Sequence, residues 1–437
     1  MAETLTIFHG TFVHSTKEED MAIHNDMVIG VRRGKIIFIE DDTRLPDLMS
    51  EYSVPLENVR HLEKWQFLIP GLVDTHIHAP QYAFAGSNMD LQLYDWLKTY
   101  TYPTEAKFKD LTYAMDVYTK VVDRTLRNGT TTACYFATLH RDATNLLCEV
   151  IEKAGQRAYV GKVNLDCCSP SYYRETTEES LEETKKFIES TISKKNPLVT
   201  PIITPRFIVT CSEELLSSLG QLREQYQLPV QTHVLETRGD VDPETSNHLN
   251  VWDRTGLLKH NTVLAHCVYM SDEEFDLLKQ RGSGIAHCPN SNITLRSGFL
   301  DVRHVLEKGC KIGLGTDVSG GYSSSMLDAL RSASQVSKTI AIQREERGEN
   351  YKILTYKELF RLATLGGSEV MGLDKTIGNF QVGKDFDAIV VDPLVENSPF
   401  DVFSTDTFLD IIQKFLFLGG DRNMIDIFVA GTRASGR

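Results

Sequence analysis

The chain has 437 residues, of which 46 are lysine or arginine and 60 are aspartate or glutamate, giving a formal net charge of −14 at pH 7. A net negative charge does not attract phosphate backbones or anionic lipid, so we expect neither nucleic-acid polymers nor membranes as partners. Hydrophobic residues make up 41% and charged residues 24% of the chain, ordinary values for a soluble globular protein. The length favours two domains.

The chain begins MAETLTIFHG, which lacks the basic flank and the long apolar core of a secretory signal. No segment approaches the roughly 20 consecutive apolar residues that span a membrane. The eight cysteines are scattered, and none forms a Cys-x-x-Cys pair. We therefore expect reduced thiols and a location in the cytosol.

Residues 1–66 alternate short β-like runs, LTIFHGTFVH and MVIGVRRGKIIFIE, with a turn at Arg33 and Gly34. From Gly378 the chain returns to this texture, with FDAIVVDP and IDIFVAGTR. Chain ends often lie close together. We predict that residues 1–66 and 376–437 form one small β-sandwich domain.

From Phe67 short apolar runs alternate with longer amphipathic stretches, the pattern of a parallel sheet covered by helices. It repeats eight times, at LIPGLVDTHIH, GTTTACYFAT, RAYVGKVNLD, VTPIITPRF, LPVQTHVLE, NTVLAHCV, GSGIAHCPNSN and KIGLGTDVSG. Helices are predicted at LTYAMDVYTKVVDRTLRNG, TEESLEETKKFIESTI and SEELLSSLGQLREQY, the last capped by Ser212. The fold class predicted is α/β, with a (β/α)8 TIM-like barrel over residues 67–375.

Two imidazoles, His76 and His78, stand where the first of these runs breaks into a loop. Alternate residues of a strand project from one face, so both rings can meet one cation. Alone, the pair could equally be hydrogen-bonded histidines at a half-buried strand end. Ligand types at other strand ends are needed to favour a metal site.

In a barrel the C-terminal strand ends carry the chemistry, because the loops that follow them converge on one mouth. Candidate residues end the first, fifth, sixth and eighth runs: His76 and His78, His233 and Glu236, His266, and Asp317. Each has an alternative as a bonded core histidine or a loop acid, but their shared position favours one site. Imidazoles with a carboxylate suit Zn²⁺, which lowers the pKa of bound water to about 7.

The motifs PGLVDTHIHAPQYAFAG, TPRF, THVLE, AHCPNSN and GLGTDVSGG resemble the amidohydrolase superfamily, and specifically its members that deaminate guanine. The resemblance runs nearly end to end, and GNFQVGKDFDAIVVD is typical of the superfamily's β-sandwich. His-x-His is shared across the superfamily, whereas Gln81, Arg206 and Phe207 point to guanine deamination. The resemblance implies a zinc-dependent hydrolase of purine catabolism that converts guanine to xanthine and ammonia, and a homodimer.

The resemblance also assigns roles to the candidate residues. The ligands of one zinc ion per subunit would be His76, His78, His233 and Asp317. The catalytic residues would be Glu236, as proton shuttle, with Asp317 and His266. The substrate would contact Gln81, Arg206, Phe207, His78, His233, Glu236 and Asp317. Binuclear relatives carry a carboxylated lysine at the end of strand four, where this chain has Pro205-Arg206-Phe207, so one metal is expected.

Several residues keep two interpretations. Arg206 could be a structural salt-bridge residue, and Gln81 could cap a loop. The aromatic residues after strand one could cover the base or belong to the core; these are Phe84, Trp96 and Tyr100. The end of strand seven could shape the mouth or be a structural turn; it comprises His287, Cys288 and Asn290-Ser291-Asn292. We place His140 and His248 on surface loops.

Two other functions stay open on the sequence. Fold and metal ligands alone do not fix the substrate, so a related amidohydrolase acting on another amino- or halo-substituted heterocycle is one alternative. A scaffold protein that kept the barrel and lost catalysis is the other. Such a protein would usually lack ligands, whereas this chain retains every predicted one.

Overall fold

The N-terminal region forms antiparallel strands, as its alternating pattern predicts. A computed structural model describes residues 5–240 and 248–436. The first elements are β1 (Thr6–His14), β2 (Ala22–Arg32), β3 (Lys35–Asp41), α1 (Leu45–Glu51), β4 (Val59–His61) and β5 (Phe67–Pro70). Between β2 and β3, Arg33 (φ 53°) and Gly34 (φ 80°) form a two-residue turn with positive φ at both positions, which suits the twist of paired strands. The predicted turn is confirmed.

The middle of the chain supplies eight parallel strand positions. In chain order the strands are β6 (Leu72–His78), β7 (Thr130–Phe136), β8 (Arg157–Gly161), β9 (Val163–Asn164), β10 (Val199–Pro201), β11 (Thr204–Pro205), β12 (Val230–Val234), β13 (Thr262–His266), β14 (Gly284–His287) and β15 (Lys311–Leu314). The short strands β9 and β11 pair with each other and continue β8 and β10. Strands three and four of the barrel are therefore each interrupted once.

Helices and short helical turns separate these strands. They are α2 (Leu93–Trp96), α3 (Tyr102–Glu105), α4 (Leu111–Arg127), α5 (Arg141–Ala154), α6 (Thr177–Ser193), α7 (Glu213–Tyr226), α8 (Leu249–Arg254), α9 (Asp272–Arg281), α10 (Pro289–Thr294), α11 (Val302–Lys308), α12 (Met326–Glu345), α13 (Tyr356–Arg361) and α14 (Gly367–Val370). The hydroxyl of Ser212 accepts from the N–H of Leu215, so the predicted cap of α7 is confirmed.

Helix α4 shows why these stretches fold as they do. The carboxylate of Asp110 caps it by accepting from the N–H of Thr112 and Tyr113. Its buried side chains recur three or four residues apart, at Ala114, Val117, Tyr118, Val121, Val122 and Thr125. This spacing places them on one stripe facing the barrel. Replacing a fully buried side chain such as Val121 with a charged one would break that contact.

The two halves of the barrel are joined on both sides. Strands β6, β7, β8 and β10 form one sheet and β12 to β15 another. Parallel bridges join residue 203 to Val230 and Phe207 to His233 on one side. On the other, the N–H of Asp317 donates to the carbonyl oxygen of His76 over 2.9 Å, and the N–H of His78 donates to that of Val318 over 3.2 Å. These bonds bring the first and eighth strand ends together.

The C-terminal region returns to the N-terminal sheet. Its elements are β16 (Ala388–Val391), α15 (Phe408–Leu418), β17 (Met424–Val429) and β18 (Thr432–Gly436). The sheet has the order β18-β17-β16-β5-β1-β2-β3, with β4 on β1. Arg157 of the barrel holds this region through Asp385, at 2.7 Å, and Asp387, at 3.2 Å. The predicted fold class, a barrel with a smaller β unit from both chain ends, is confirmed; the division at residues 66 and 376 stays a prediction.

Within the described ranges, none of the helices combines the length and the apolar composition that crossing a bilayer requires.

Candidate active site

Three imidazoles and one carboxylate meet at the C-terminal mouth of the barrel. They belong to His76 and His78 of β6, His233 of β12, and Asp317 just after β15. Their ligand-type atoms all lie within 4.8 Å of one another. The Nε2 atoms of His78 and His233 are 3.0 Å apart, and Oδ1 of Asp317 lies 3.2 Å from Nε2 of His76. The strand ends thus bring together the four predicted ligands.

The donor set fits a divalent metal. Nδ1 of His76 and Nδ1 of His78 are buried without a hydrogen-bond partner, although buried polar atoms normally have one. Burial lowers the pKa of His78 and His233 well below the usual value, so both rings are neutral and keep a lone pair. Three neutral imidazoles with one carboxylate match the ligand chemistry of Zn²⁺.

The tautomer of His233 is fixed by its neighbour. Its Nδ1 lies 2.6 Å from the backbone carbonyl oxygen of Arg206. Because a carbonyl only accepts, the hydrogen sits on Nδ1, and Nε2 is left to face His78. A backbone acceptor that orients a ligating imidazole is the usual arrangement around protein metals.

A second group of ligand-type atoms shares Asp317 with the first. It contains His266 and Cys288. Burial raises the pKa of the Cys288 thiol well above its usual value, and its Sγ donates to the carbonyl oxygen of Ala286 over 3.5 Å. A protonated thiol is a poor ligand, so the geometry favours the four-residue group as the metal site.

Asp74, which no sequence motif singled out, ties the strand of His76 to the segment that carries Asp317. Its carboxylate accepts from the N–H of His76 at 3.2 Å and of Thr316 at 3.0 Å, and from the Thr316 hydroxyl at 2.5 Å. Burial raises the pKa of Asp74 to about 7. The signal was available, because Asp74 stands two residues before His76, on the same strand face.

Glu236 and His266 form the acid-base part of the mouth. Oε2 of Glu236 lies 3.5 Å from Nε2 of His266, and Oε1 accepts from the hydroxyl of Ser297 over 3.2 Å. Burial raises the pKa of Glu236 to about 7. Burial would lower the pKa of His266, but Glu236 and Asp317 raise it overall. A buried carboxylate poised near neutrality can both take and give a proton.

The strand-seven turn contributes to this pair. Oδ1 of Asn292 lies 2.8 Å from Nδ1 of His266. An amide oxygen only accepts, so the hydrogen of a neutral His266 ring sits on Nδ1 and Nε2 faces Glu236. Of the two interpretations of this turn, the structure therefore favours shaping of the mouth.

On another wall, Arg206 and Gln81 share one buried acid. Nη1 and Nη2 of Arg206 lie 2.7 Å and 3.3 Å from the carboxylate oxygens of Glu105, and Nε2 of Gln81 donates to the same carboxylate over 3.0 Å. Arg206 is thus the salt-bridge residue that the sequence left as an alternative, and it also lines the cavity. Glu105 was missed because no spacing in the sequence relates it to residue 206.

One cavity at the barrel mouth unites these groups. Its walls include every predicted site residue except His76, namely His78, Gln81, Arg206, Phe207, His233, Glu236, His266 and Asp317. Trp96 satisfies both interpretations, since it lines the cavity and packs on Phe84 with ring centroids 5.4 Å apart. His248 lies half-buried in a turn directly before α8, and it also lines the cavity. His140 is half-buried, with its ring 6.1 Å from that of Tyr173.

The chain is similar to several known proteins. The model of the amidohydrolase family matches residues 67–434. A guanine deaminase from Rattus norvegicus is 50% identical over 98% of this chain and 96% of its own length; that from Escherichia coli (strain K12) is 32% identical over 98% and 97%. A crystal structure of guanine deaminase from C. acetobutylicum with bound guanine in the active site superposes with a TM-score of 0.89 at 35% identity, covering 98% of this chain and 100% of that one.

Proposed function

This chain belongs to the amidohydrolase family, and from that premise we propose that it converts guanine to xanthine and ammonia by hydrolysis. One observation carries the proposal: relatives named guanine deaminase match nearly the whole chain at up to 50% identity. The predicted catalytic groups also line a single cavity. The resemblance inferred from the sequence motifs is confirmed.

We assign one zinc ion per subunit to His76, His78, His233 and Asp317. The convergence of their ligand atoms within 4.8 Å supports this assignment. When bound, such an ion would act as a Lewis acid that lowers the pKa of a coordinated water to about 7. The chemistry of the remaining residues follows from their positions.

Glu236 acts as the proton shuttle in this proposal. Its carboxylate takes a proton from the attacking water and gives a proton to the ring nitrogen next to C2 of guanine. A C–O bond forms at C2, the second proton of the attacking water moves to the amino nitrogen, and the C–N bond breaks to release ammonia. Glu236, 3.5 Å from His266, and Asp317 raise the pKa of this imidazole. In its protonated form His266 donates a hydrogen bond from Nε2 to the oxygen added at C2, and Asp317 assists in removing the water's protons.

Gln81, Arg206 and Phe207 hold the base. Guanine presents a carbonyl oxygen and a ring nitrogen as neighbouring acceptors, which the planar guanidinium of Arg206 can contact together. The amide of Gln81 adds a donor, and the ring of Phe207 provides apolar surface. His78, His233, Glu236 and Asp317 surround the reacting carbon at the other wall of the cavity.

Measuring ammonia release from guanine, adenine, cytosine and an amino-triazine tests the assigned substrate. We expect release from guanine at least a hundredfold faster than from the other three, because none of those presents a carbonyl oxygen beside an imidazole-ring nitrogen, the pair of acceptors that this donor set matches. Faster release from a triazine would favour the related-heterocycle alternative, and bound zinc without release from any of them would favour the scaffold alternative.

We also propose that the protein is a homodimer of the cytosol. The family resemblance supports the dimer. The eight cysteines are all free thiols, which suits a reducing compartment. Light scattering after gel filtration tests the oligomeric state, with a mass near 49.3 kDa contradicting the dimer.

A further inference from the structure

Glu105 lies at the end of α3, fully buried behind the purine-binding wall. Its carboxylate accepts from Arg206 at two positions and from Nε2 of Gln81, and the hydroxyl of Tyr173 is a further hydrogen-bond neighbour. Two of these donors belong to residues assigned above to the base. The acid therefore contacts the substrate-binding groups without lining the cavity itself.

The first consequence concerns charge. Arg206 is 2% exposed, so water does little to screen its guanidinium. Glu105 is the carboxylate in contact with it among the residues that the structure describes. Glu236 faces His266, and Asp317 faces His76 and His78. Neutralisation of Arg206 thus falls to Glu105, since an unpaired buried charge is strongly unfavourable.

The second consequence concerns donor orientation. A carboxylate only accepts, so the Gln81 amide presents its NH₂ to Glu105. The N–H of Ser319 lies 3.3 Å from Oε1 of Gln81, which agrees with that orientation. The bidentate contact likewise fixes the plane of the Arg206 guanidinium. These contacts also fix the directions of the remaining N–H groups of both side chains.

We propose that Glu105 is a positioning residue that makes this site select a neutral oxopurine over an anionic one, by cancelling the charge of Arg206 and fixing the donors of Arg206 and Gln81. The inference rests on the proposed guanine deamination. Without the Glu105 charge, the guanidinium faces the cavity uncompensated, and a negatively charged purine becomes the better match.

The test compares Glu105→Gln with wild type, using guanine as substrate and urate, an oxopurine anion at neutral pH, as inhibitor. We expect the KM for guanine to rise at least tenfold while kcat falls less than threefold, because the residue acts on binding rather than on the reacting atoms. We expect the inhibition constant of urate to fall at least tenfold.

Two further variants separate positioning from a merely structural role. Glu105→Asp keeps the charge but shortens the side chain, so the KM should rise while urate inhibition stays within threefold of wild type. Glu175→Gln is a matched control: Glu175 pairs with the fully buried Lys162 at 2.6 Å, away from the cavity. It should lower the melting temperature and leave both the KM and urate inhibition unchanged.

The inference would be overturned if the KM for guanine and the inhibition constant of urate for Glu105→Gln both stayed within threefold of wild type. It would also be overturned if Glu175→Gln gained as much urate affinity as Glu105→Gln. Should Glu105→Gln not fold, an unchanged KM in Glu105→Asp would overturn it. Wild type that forms no xanthine would instead refute the proposed function. Calorimetric titration of urate into wild type and Glu105→Gln would then still decide the role of the charge.

Discussion

The hydroxyl of Ser297 donates a hydrogen bond to Oε1 of Glu236 over 3.2 Å, inside a buried pocket. A donor to the charged form of an acid lowers its pKa, whereas burial has raised that of Glu236 to about 7. Ser297 thus opposes the effect of burial and keeps more of the acid ionised at neutral pH.

Ser297→Ala should shift the pH dependence of turnover. Glu236 must be ionised to accept a proton, so activity falls as the pH drops through its pKa, near 7 in wild type. Removing the donor raises that pKa, and the acid limb of kcat/KM should move to higher pH. Ser283→Ala, which loses a hydroxyl bonded to the Lys259 carbonyl far from the cavity, is the control. An unmoved limb would contradict the proposed contact.

Glu236→Gln should lower kcat by about 10²- to 10⁴-fold, the usual contribution of general acid-base catalysis. The amide keeps the shape of the side chain but cannot accept a proton from water. Zinc content, measured by atomic emission, should equal that of wild type, because Glu236 is not among the proposed ligands. A fully active variant would contradict the role of Glu236 as proton shuttle.

Chelation should lower the melting temperature. A ligand that binds only the folded state at about 1,000 times its Kd stabilises by roughly 4 kcal/mol. For a chain of this size we expect a loss of several degrees with a strong chelator, reversed by added zinc. His76→Ala should melt at the same temperature with and without chelator. If the chelator left the melting temperature of wild type unchanged, the result would contradict the metal site.

Asp74→Asn should flatten the pH dependence of stability. Burial raises the pKa of folded Asp74 from 3.8 to about 7, so the folded state holds the proton more tightly than the unfolded state. Its contribution to stability is therefore fully present at low pH and declines as the pH rises through 3.8 toward 7. Denaturant unfolding from pH 4 to 7 should show a smaller loss of free energy in the variant; equal slopes would refute this.

The features that could be predicted from the sequence are those that depend on local patterns or on family motifs. Three features depend only on residues that are neighbours in the chain, and local sequence is therefore enough to predict them: the strand alternation, the Arg33-Gly34 turn and the Ser212 cap. His76 and His78 could be paired with His233 and Asp317 because all of them end parallel strands, and such ends converge in a barrel.

The missed residues depend on contacts between distant segments. Glu105 meets Arg206 across 101 positions, and it stands on a short helix whose sequence has no metal or catalytic signature. Ser297 reaches Glu236 from a loop after β14. His248 was placed on a surface loop because its polar neighbours in the sequence give no sign that it lines a cavity.

The central claim is tested most directly by following the ultraviolet spectrum of guanine during incubation with the zinc-loaded protein. We expect complete conversion to xanthine with one ammonia released per guanine, arrested when a chelator removes the metal and restored by added zinc. A spectrum of intact guanine after prolonged incubation with folded, zinc-loaded protein would contradict the account.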